Sequence, residues 1–386
     1  MNNFDFYNPT KIIFGKDRLA ELDNVVPKNA KVLITYGGGS VKKFGTLDKV
    51  KNALSDRKVF EFGGIEPNPQ FTTLMKAIEI VKNEKIDFLL AVGGGSVMDG
   101  TKFISLASCF EGNPEDILTS PNKYNLNFTS SIALGTVCTL PATGSEMNCG
   151  GVICIKDAKL SFRNPLVFPK FSFVDPTLTM TLPDRQVANG IIDTFIHVCE
   201  QYVTYPAEGR FQDRTAEGIL QTLIEVGPKT LADKENYDMR ANLVWCATMG
   251  LNGLIGAGVP QDWSCHMIGH ELTAMFGLDH GVTLAIMQPA IWTIRKEKKL
   301  AKLAQFAERV WNITEGTDSE KADKAIIKTR EFFESLGVKT HLSDYNIKEE
   351  QIENIVKALE AHRMTALSET GDLTLDVSRE ILKEAF

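Results

Sequence analysis

The sequence predicts an α/β domain followed by an all-helical domain. In the first half, short apolar runs that end near glycine alternate with amphipathic segments, which is typical of βαβ units around a mostly parallel sheet. From Asp184 onward almost every segment has helical period and strand-like runs disappear. The sequence Leu182-Pro183-Asp184 suits a helix start, so we place the two domains at residues 1–182 and 183–386.

Individual elements follow from the same patterns. Strands are predicted at residues 31–36, 59–62, 87–92, 131–134 and 171–174. Helices are predicted at residues 41–54 and 72–83, from about residue 183, and at 262–276 with Gly277 as the C-cap. The uncharged stretch at 241–261 contains asparagine, threonine and several glycines, so a buried helix is favoured over a membrane span.

Composition limits the class of protein. The 43% hydrophobic and 24% charged residues are typical of a folded globular chain and exclude a disordered or fibrous one. A net charge of −7 argues against a nucleic-acid partner. The seven cysteines contain no CxxC pair, and the N-terminus lacks a signal-peptide pattern. We therefore expect reduced cysteines, a cytoplasmic location and no membrane partner.

Two glycine-rich turns repeat each other. The sequence GGGSV occurs at residues 37–41 and again at 93–97, each time after a predicted strand and before a predicted helix. Such turns bring backbone N–H groups and a helix dipole to an anion, although they also serve as plain strand-to-helix turns. Met98 replaces the third glycine of the Rossmann fingerprint, and Thr101-Lys102 reverses the P-loop order. The repetition favours a nucleotide diphosphate bound by neither standard motif.

The first turn also predicts which nucleotide. NAD sites place an acidic residue after a strand to hold the ribose diol. Residues 36–43 contain no acid and instead carry Ser40, Lys42 and Lys43. If a dinucleotide binds, these residues favour the 2′-phosphate of NADP over the free diol of NAD.

Histidines cluster in the second half. Four of the six lie between residues 197 and 280. Asp193 and His197 are spaced i, i+4, as are His266 and His270, so each pair shares one helix face. A lone histidine on a helix is usually a surface or satisfied core residue, but this clustering in a region of few charges favours a metal site. Imidazoles and one carboxylate suit Zn²⁺ or Fe²⁺.

A zinc peptidase has a related spacing. In that motif a glutamate directly follows the first histidine and serves as the base. Here Met267 follows His266, so peptide hydrolysis is disfavoured.

Taken together, these motifs resemble the iron-containing (group III) alcohol dehydrogenases, in particular bacterial NADPH-dependent aldehyde reductases and butanol dehydrogenases. The resemblance runs from end to end. It includes YNPTKIIFG at 7–15, GGGSVMDGTK at 93–102, LPATGSE at 140–146, and the pairs Asp193/His197 and His266/His270 followed by His280.

The resemblance implies a dehydroquinate-synthase-like fold, with a Rossmann-like α/β dinucleotide-binding domain and a helical metal-binding catalytic domain. It implies that the metal ligands are Asp193, His197, His266 and His280. It places His270 in the active site as a non-ligand and Asp99 beside the nicotinamide ribose. The remaining cofactor contacts that it implies are Gly94, Gly95 and Ser96 at the pyrophosphate, Thr139 and Lys159, and Gly38, Gly39 and Ser40 at the 2′-phosphate.

The resulting prediction is a reversible, NADPH-dependent reduction of aldehydes to primary alcohols with Fe²⁺ or Zn²⁺ as Lewis acid. His270 is the candidate proton relay and Asp99 the second catalytic candidate. The expected partner is a small aldehyde or alcohol, and family members commonly form homodimers or larger oligomers. Glycerol dehydrogenases and dehydroquinate-synthase-like lyases share this plan and remain alternatives; a non-enzymatic binding module is disfavoured. His341 and His362 receive no role.

Overall fold

The computed structural model describes residues 1–386, which divide into two compact units. The first is Tyr7–Leu182, and the second is Pro183–Phe386 together with Met1–Phe6. The division after Leu182 falls where the sequence changes character. The attachment of Met1–Phe6 to the helical unit, where the Asn2 N–H donates to Gly258 O at 2.8 Å, differs from the expected continuous N-terminal domain.

The α/β unit is built around a parallel six-stranded sheet. Its elements in chain order are β1 (Lys11–Phe14), α1 (Leu22–Val25), β2 (Lys31–Tyr36), α2 (Ser40–Lys43), α3 (Thr46–Ala53), β3 (Lys58–Phe62), α4 (Phe71–Glu84), β4 (Phe88–Gly94), α5 (Gly95–Cys109), α6 (Asp116–Thr119), β5 (Ala133–Leu140), β6 (Gly150–Ile155), β7 (Ala158–Arg163) and β8 (Phe171–Val174). The sheet order is β1-β8-β5-β4-β2-β3, and separate apolar clusters pack around it. Strands β6 and β7 form an antiparallel pair of their own.

The order in which strands are added to the sheet reverses between the neighbouring strands β2 and β4. From β2 the chain proceeds to β3 on one side, whereas from β4 it proceeds to β5 on the other. Tyr36 at the end of β2 pairs with Val92 of β4, and the two GGGSV turns follow directly after these residues. Open parallel sheets bind ligands at this kind of switch point, beyond the carboxyl ends of the strands.

Several elements differ from the predicted ones. The helix predicted at 41–54 is split into α2 and α3 by Gly45, which has a φ of +75°. Strand β5 extends from 133 to 140 rather than from 131 to 134. Strand β1 and the β6–β7 pair were not predicted. Strand β1 is short and pairs only with the distant β8, although Ile12, Ile13 and Phe14 form an apolar run that ends at Gly15.

The second unit is mainly helical. Its elements are α7 (Asp184–Tyr202), α8 (Arg210–Ala232), α9 (Tyr237–Gly250), α10 (Ser264–Phe276), α11 (His280–Val310), α12 (Asp318–Ser335), α13 (Ile352–Ala361), β9 (Ala366–Leu367), β10 (Leu373–Thr374) and α14 (Leu375–Glu384). The order of an α/β half and a helical half is confirmed. The expectation of an all-helical unit is wrong at β9 and β10, which form a short antiparallel pair.

Two helix ends test the local predictions. The helix predicted across 241–261 ends at Gly250, so the uncharged stretch is helical only in its first half. The C-cap at Gly277 is confirmed, since its φ is +67° and its N–H donates to Thr273 O at 3.0 Å. No helix of the protein has the length and apolar character required to span a membrane.

Candidate metal centre and cofactor loops

Three helices bring the acidic and histidine side chains together. Asp193 lies in the middle of α7, His266 lies in the first turn of α10, and His280 is the first residue of α11. Gly281 permits a close approach of α11 to α7, because a Cβ atom there would lie 2.7 Å from the Cα and the carbonyl oxygen of Asn189. A side chain at this position would therefore push His280 away from the turn that carries Asp193.

The Asp193 carboxylate is the common point of the cluster. Its Oδ1 atom lies 3.5 Å from His266 Nε2 and 3.7 Å from His280 Nε2. The ligand atoms of Asp193, His266 and His280 all lie within 4.8 Å of one another. Ligands about 2.1 Å from a tetrahedral metal are separated from each other by about 3.4 Å. The spacing therefore matches donors that share one ion.

Unsatisfied polar atoms support the same conclusion. Asp193 and His266 are buried, and neither Asp193 Oδ1 nor His266 Nε2 makes a hydrogen bond. Burying such groups costs free energy unless they are paired or coordinate a metal. The donor set of carboxylate oxygen and imidazole nitrogen fits a divalent transition metal or zinc.

The other two predicted histidines lie beside this group. His197 Nδ1 is 3.4 Å from Asp193 Oδ1, and the His197 ring stacks on His266 with centroids 4.5 Å apart. His197 is nevertheless not one of the three residues whose ligand atoms are all mutually close. His270 is buried, and its ring centroid lies 6.1 Å from that of His266 and 5.4 Å from that of His280.

Glu200 is a further residue of the site that the sequence did not predict. This buried residue of α7 hydrogen-bonds through Oε2 to His266 Nδ1 and accepts the His266 backbone N–H through Oε1 at 3.2 Å. Burial raises the pKa of Glu200, against the opposing effect of His266. Burial also disfavours the charged form of His266, but Glu200 and Asp193 outweigh it and raise the His266 pKa to about 9. The helical spacing 193, 197, 200 was the available signal, since all three positions share one face.

A carboxylate bound to the outer nitrogen of a histidine is a common feature of metal sites. It fixes the tautomer and the orientation of the ring, so that the other nitrogen faces the ion. Glu200 holds His266 in this way, with Nε2 directed at Asp193.

In the α/β unit, the two glycine turns have different surroundings. A Cβ atom at Gly95 would lie 2.6 Å from Thr143 Cγ2, so close packing alone requires glycine there. No atom lies within 4 Å of the Cβ position at Gly38 or Gly39. The second turn opens the fifteen-residue α5, whereas the first opens only the four-residue α2. A helix dipole therefore favours an anion at residues 94–96 and not at the first turn.

The lysines of the first turn are closer to an acid than the local sequence indicates. Lys42 Nζ lies 3.9 Å from Glu61 Oε2 of the neighbouring strand β3 and 4.9 Å from the centroid of the Tyr36 ring. Lys51 also pairs with Glu61, at 2.6 Å. Ser40 and Lys43 are exposed, and the Lys43 ammonium lies over the Phe44 ring.

The predicted ribose residue Asp99 lies in the first turns of α5. Its Oδ1 accepts the Ser145 hydroxyl at 2.6 Å and its Oδ2 accepts the Val152 N–H at 3.0 Å. Burial raises the pKa of this carboxyl group. Ser96 Oγ accepts the Asn68 N–H at 3.3 Å. Thr139 and Lys159 are partly exposed, on β5 and β7 respectively.

Comparison with known proteins identifies the family. The family model described as "Iron-containing alcohol dehydrogenase" matches residues 9–176. The model described as "Fe-containing alcohol dehydrogenase family, C-terminal" matches residues 187–386. The chain belongs to the iron-containing alcohol dehydrogenase family.

Full-length relatives give a finer comparison. The chain is 58% identical to the NADPH-dependent aldehyde reductase YqhD of Escherichia coli, with 100% of both chains covered. It is 41% identical to NADP-dependent alcohol dehydrogenase 3 of Entamoeba histolytica, over 94% of each chain. It is 35% identical to NADH-dependent butanol dehydrogenase A of Clostridium acetobutylicum, with 100% of both covered. A solved structure of E. coli YqhD has a TM-score of 0.97 at 57% identity, covering 100% of this chain and 99% of the other.

Proposed function

We propose that this protein is a metal-dependent alcohol dehydrogenase that reduces aldehydes to primary alcohols with NADPH, reversibly. The observation that carries the proposal is the buried Asp193 carboxylate with imidazole nitrogens at the spacing of shared metal ligands. The 58% identity with an NADPH-dependent aldehyde reductase supports the choice of reaction.

Asp193, His266 and His280 would hold the metal, with His197 as the fourth ligand. When bound, the ion supplies Lewis acidity that stabilises negative charge on a substrate oxygen. NADPH supplies the hydride. The chain's own task is to hold these donors in place, and Glu200 does so by fixing the His266 ring.

His270 supplies the proton. Reduction of an aldehyde consumes one hydride and one proton, and an imidazole can transfer a proton near neutral pH. His270 is buried beside His266 and His280, and we propose it as a proton donor from a ring nitrogen rather than as a ligand.

The cofactor would be held at the carboxyl edge of the parallel sheet. Gly94, Gly95 and Ser96 at the start of α5 would bind the pyrophosphate, and Asp99 would lie beside the nicotinamide ribose, with Thr139 and Lys159 as further contacts. Gly38, Gly39 and Ser40 would contact the 2′-phosphate. The relatives include both NADP-dependent and NADH-dependent enzymes. Lys42 and Lys43 of the first turn, which has no acid of its own, support NADPH here, with Glu61 of β3 as the acid that lies 3.9 Å from Lys42.

A steady-state assay tests the proposal. NADPH oxidation is followed by absorbance with short and long aldehydes, before and after chelation, and after adding back Zn²⁺ or Fe²⁺. We expect loss of activity on metal removal, recovery with one of these ions, and a preference for NADPH over NADH. Activity that survives complete metal removal would contradict the metal dependence, and oxidation of glycerol with NAD as the main reaction would indicate the glycerol dehydrogenase alternative.

Variants locate the site. Replacing His266 by alanine is expected to abolish metal retention, and His197→Ala tests the fourth ligand in the same way. His341→Ala is the matched control, because His341 pairs with Arg330 and is not among the proposed ligands. Metal analysis of the purified proteins also distinguishes iron from zinc, and light scattering tests the expected homodimer or larger oligomer.

A further inference from the structure

A buried lysine lies next to the predicted ribose residue without belonging to any of the predicted contacts. Lys102 has 0% exposure and lies three residues after Asp99 in α5. Its ammonium group donates to Ser145 Oγ at 2.9 Å, to Asn148 Oδ1 at 2.8 Å and to Gly150 O at 2.9 Å. A lysine ammonium has three donors and no acceptor, so its hydrogen-bonding capacity is filled.

The Lys102 bond determines the direction of the next hydrogen bond. A serine hydroxyl carries one proton. Because Ser145 Oγ accepts from Lys102, its own proton is available to Asp99 Oδ1, at 2.6 Å. The other Asp99 oxygen accepts the Val152 N–H at 3.0 Å. Both carboxylate oxygens are thus acceptors, which is the pattern expected of an ionised group.

The charges around these groups are few. Lys102 and Lys159 are the cations that act on Asp99. Asp99, Cys149 and Glu146 are the titratable groups that act on Lys102. Burial lowers the pKa of Lys102 to about 8, although these three neighbours oppose the change. Lys102 is therefore charged at neutral pH and close to titration just above it.

We propose that Lys102 is a positioning residue of the cofactor site, whose ammonium group fixes the Ser145 hydroxyl as a donor to Asp99 and ties residues 145–150 to α5. The proposal rests on the proposed function, in which Asp99 lies beside the nicotinamide ribose. Lys102 acts through Ser145 and Asp99 and does not itself contact the cofactor. It thereby couples the helix that carries the second glycine turn to the segment that leads into β6.

A double-mutant cycle tests this coupling. Lys102→Met, which keeps an unbranched side chain one atom shorter and removes the charge, is combined with Ser145→Ala, and NADPH affinity is measured by cofactor fluorescence. We expect Lys102→Met to weaken NADPH binding by up to about tenfold, because an indirect effect transmits at most the contribution of one charge-assisted hydrogen bond. The double variant should bind no more weakly than Lys102→Met. Losses that multiply in the double variant would overturn the proposal, because Lys102 would then not act through Ser145.

The pH dependence separates positioning from plain structural support. In the wild-type protein, NADPH affinity should fall as the pH rises through about 8 and Lys102 loses its charge. In Lys102→Met this fall should be absent. A variant with a lower melting temperature but unchanged NADPH affinity and an unchanged pH dependence would show that Lys102 only stabilises the fold. Lys302→Met is the matched control, since Lys302 is a buried lysine of the helical unit paired with Asp213.

A measurement without cofactor keeps the test independent of the proposed function. The Val152 N–H is bonded to Asp99, so its hydrogen exchange reports on the order of this network. Exchange at Val152 should be faster in Lys102→Met and Ser145→Ala than in wild type and Lys302→Met. If the wild type fails to bind NADPH, the proposed function is refuted, while unchanged exchange at Val152 refutes the role of Lys102.

Discussion

Replacing Glu200 by glutamine tests whether the metal centre depends on the carboxylate behind His266. Glu200 uses both oxygens on one residue, one for the His266 ring and one for its backbone N–H. The substitution keeps the size of the side chain and removes its charge. Its amide group has one acceptor oxygen, so one of the two donors of His266 loses its partner.

The size of the effect follows from that count. One hydrogen bond to a charged group contributes about 1.5–3 kcal/mol, and 1.4 kcal/mol corresponds to a factor of about ten in affinity. We therefore expect Glu200→Gln to weaken metal binding by about 10- to 100-fold, which is the usual effect of losing such an outer partner. The loss acts on metal binding because the His266 ring is then free to turn Nε2 away from Asp193.

The assay is competition for Zn²⁺ between apo-protein and a chromophoric chelator at fixed pH. Glu271→Gln is a matched control, because Glu271 is also a buried glutamate, bonded at 2.8 Å to Nδ1 of a histidine, His362, that is not a predicted ligand. Glu271→Gln should keep the wild-type affinity. Equal zinc affinity in Glu200→Gln and wild type would refute the reasoning.

Further predictions concern the proton, the helix contact and the cofactor preference. His270→Phe should retain the metal but lose most turnover and change the pH–rate profile; full turnover with an unchanged profile would exclude the relay. Gly281→Ala places a Cβ atom 2.7 Å from the Asn189 backbone. We therefore expect thermal melts to show a stability lower by about 1–3 kcal/mol, and metal analysis to show a lower metal occupancy. Wild-type values for both quantities would contradict this prediction. Glu61→Gln should raise the NADPH/NADH ratio of kcat/KM by freeing Lys42, whereas Lys42→Ala should lower it; equal ratios in the two variants would dismiss the pair as a specificity determinant.

Local sequence patterns predicted four of the six strands of the parallel sheet, and missed β1 and most of β5. Each of the strands β2, β3, β4 and β8 was predicted from its own run of mainly apolar residues. Strand β1 lies at the sheet edge and pairs with residues about 160 positions later; its apolar run Ile12-Ile13-Phe14 before Gly15 has the pattern of the other strands but is very short. The split between α2 and α3 depends on the conformation of Gly45, which an amphipathic pattern does not record.

The candidate site shows a similar limit. Helical spacing alone predicted that Asp193 and His197, and likewise His266 and His270, share a face. Spacing also places Glu200 on the face of Asp193 and His197, but its role appears only once Glu200 of α7 meets His266 of α10. Spacing could not show that Glu61 of the neighbouring strand approaches Lys42, since an absence of acid within one segment says nothing about adjacent strands.

The register of the sheet brings the two GGGSV turns together. The two copies are 56 residues apart, and β2 pairs with β4 with the same offset, Val32 with Phe88 and Tyr36 with Val92. The two repeated turns therefore lie close together in space, at the edge where parallel sheets bind ligands. Packing against Thr143 explains the glycine at 95 without any ligand, so glycine content alone is weak support for a nucleotide. The pairing of the two turns at the switch point is the stronger argument, and it holds although neither turn matches a standard nucleotide motif.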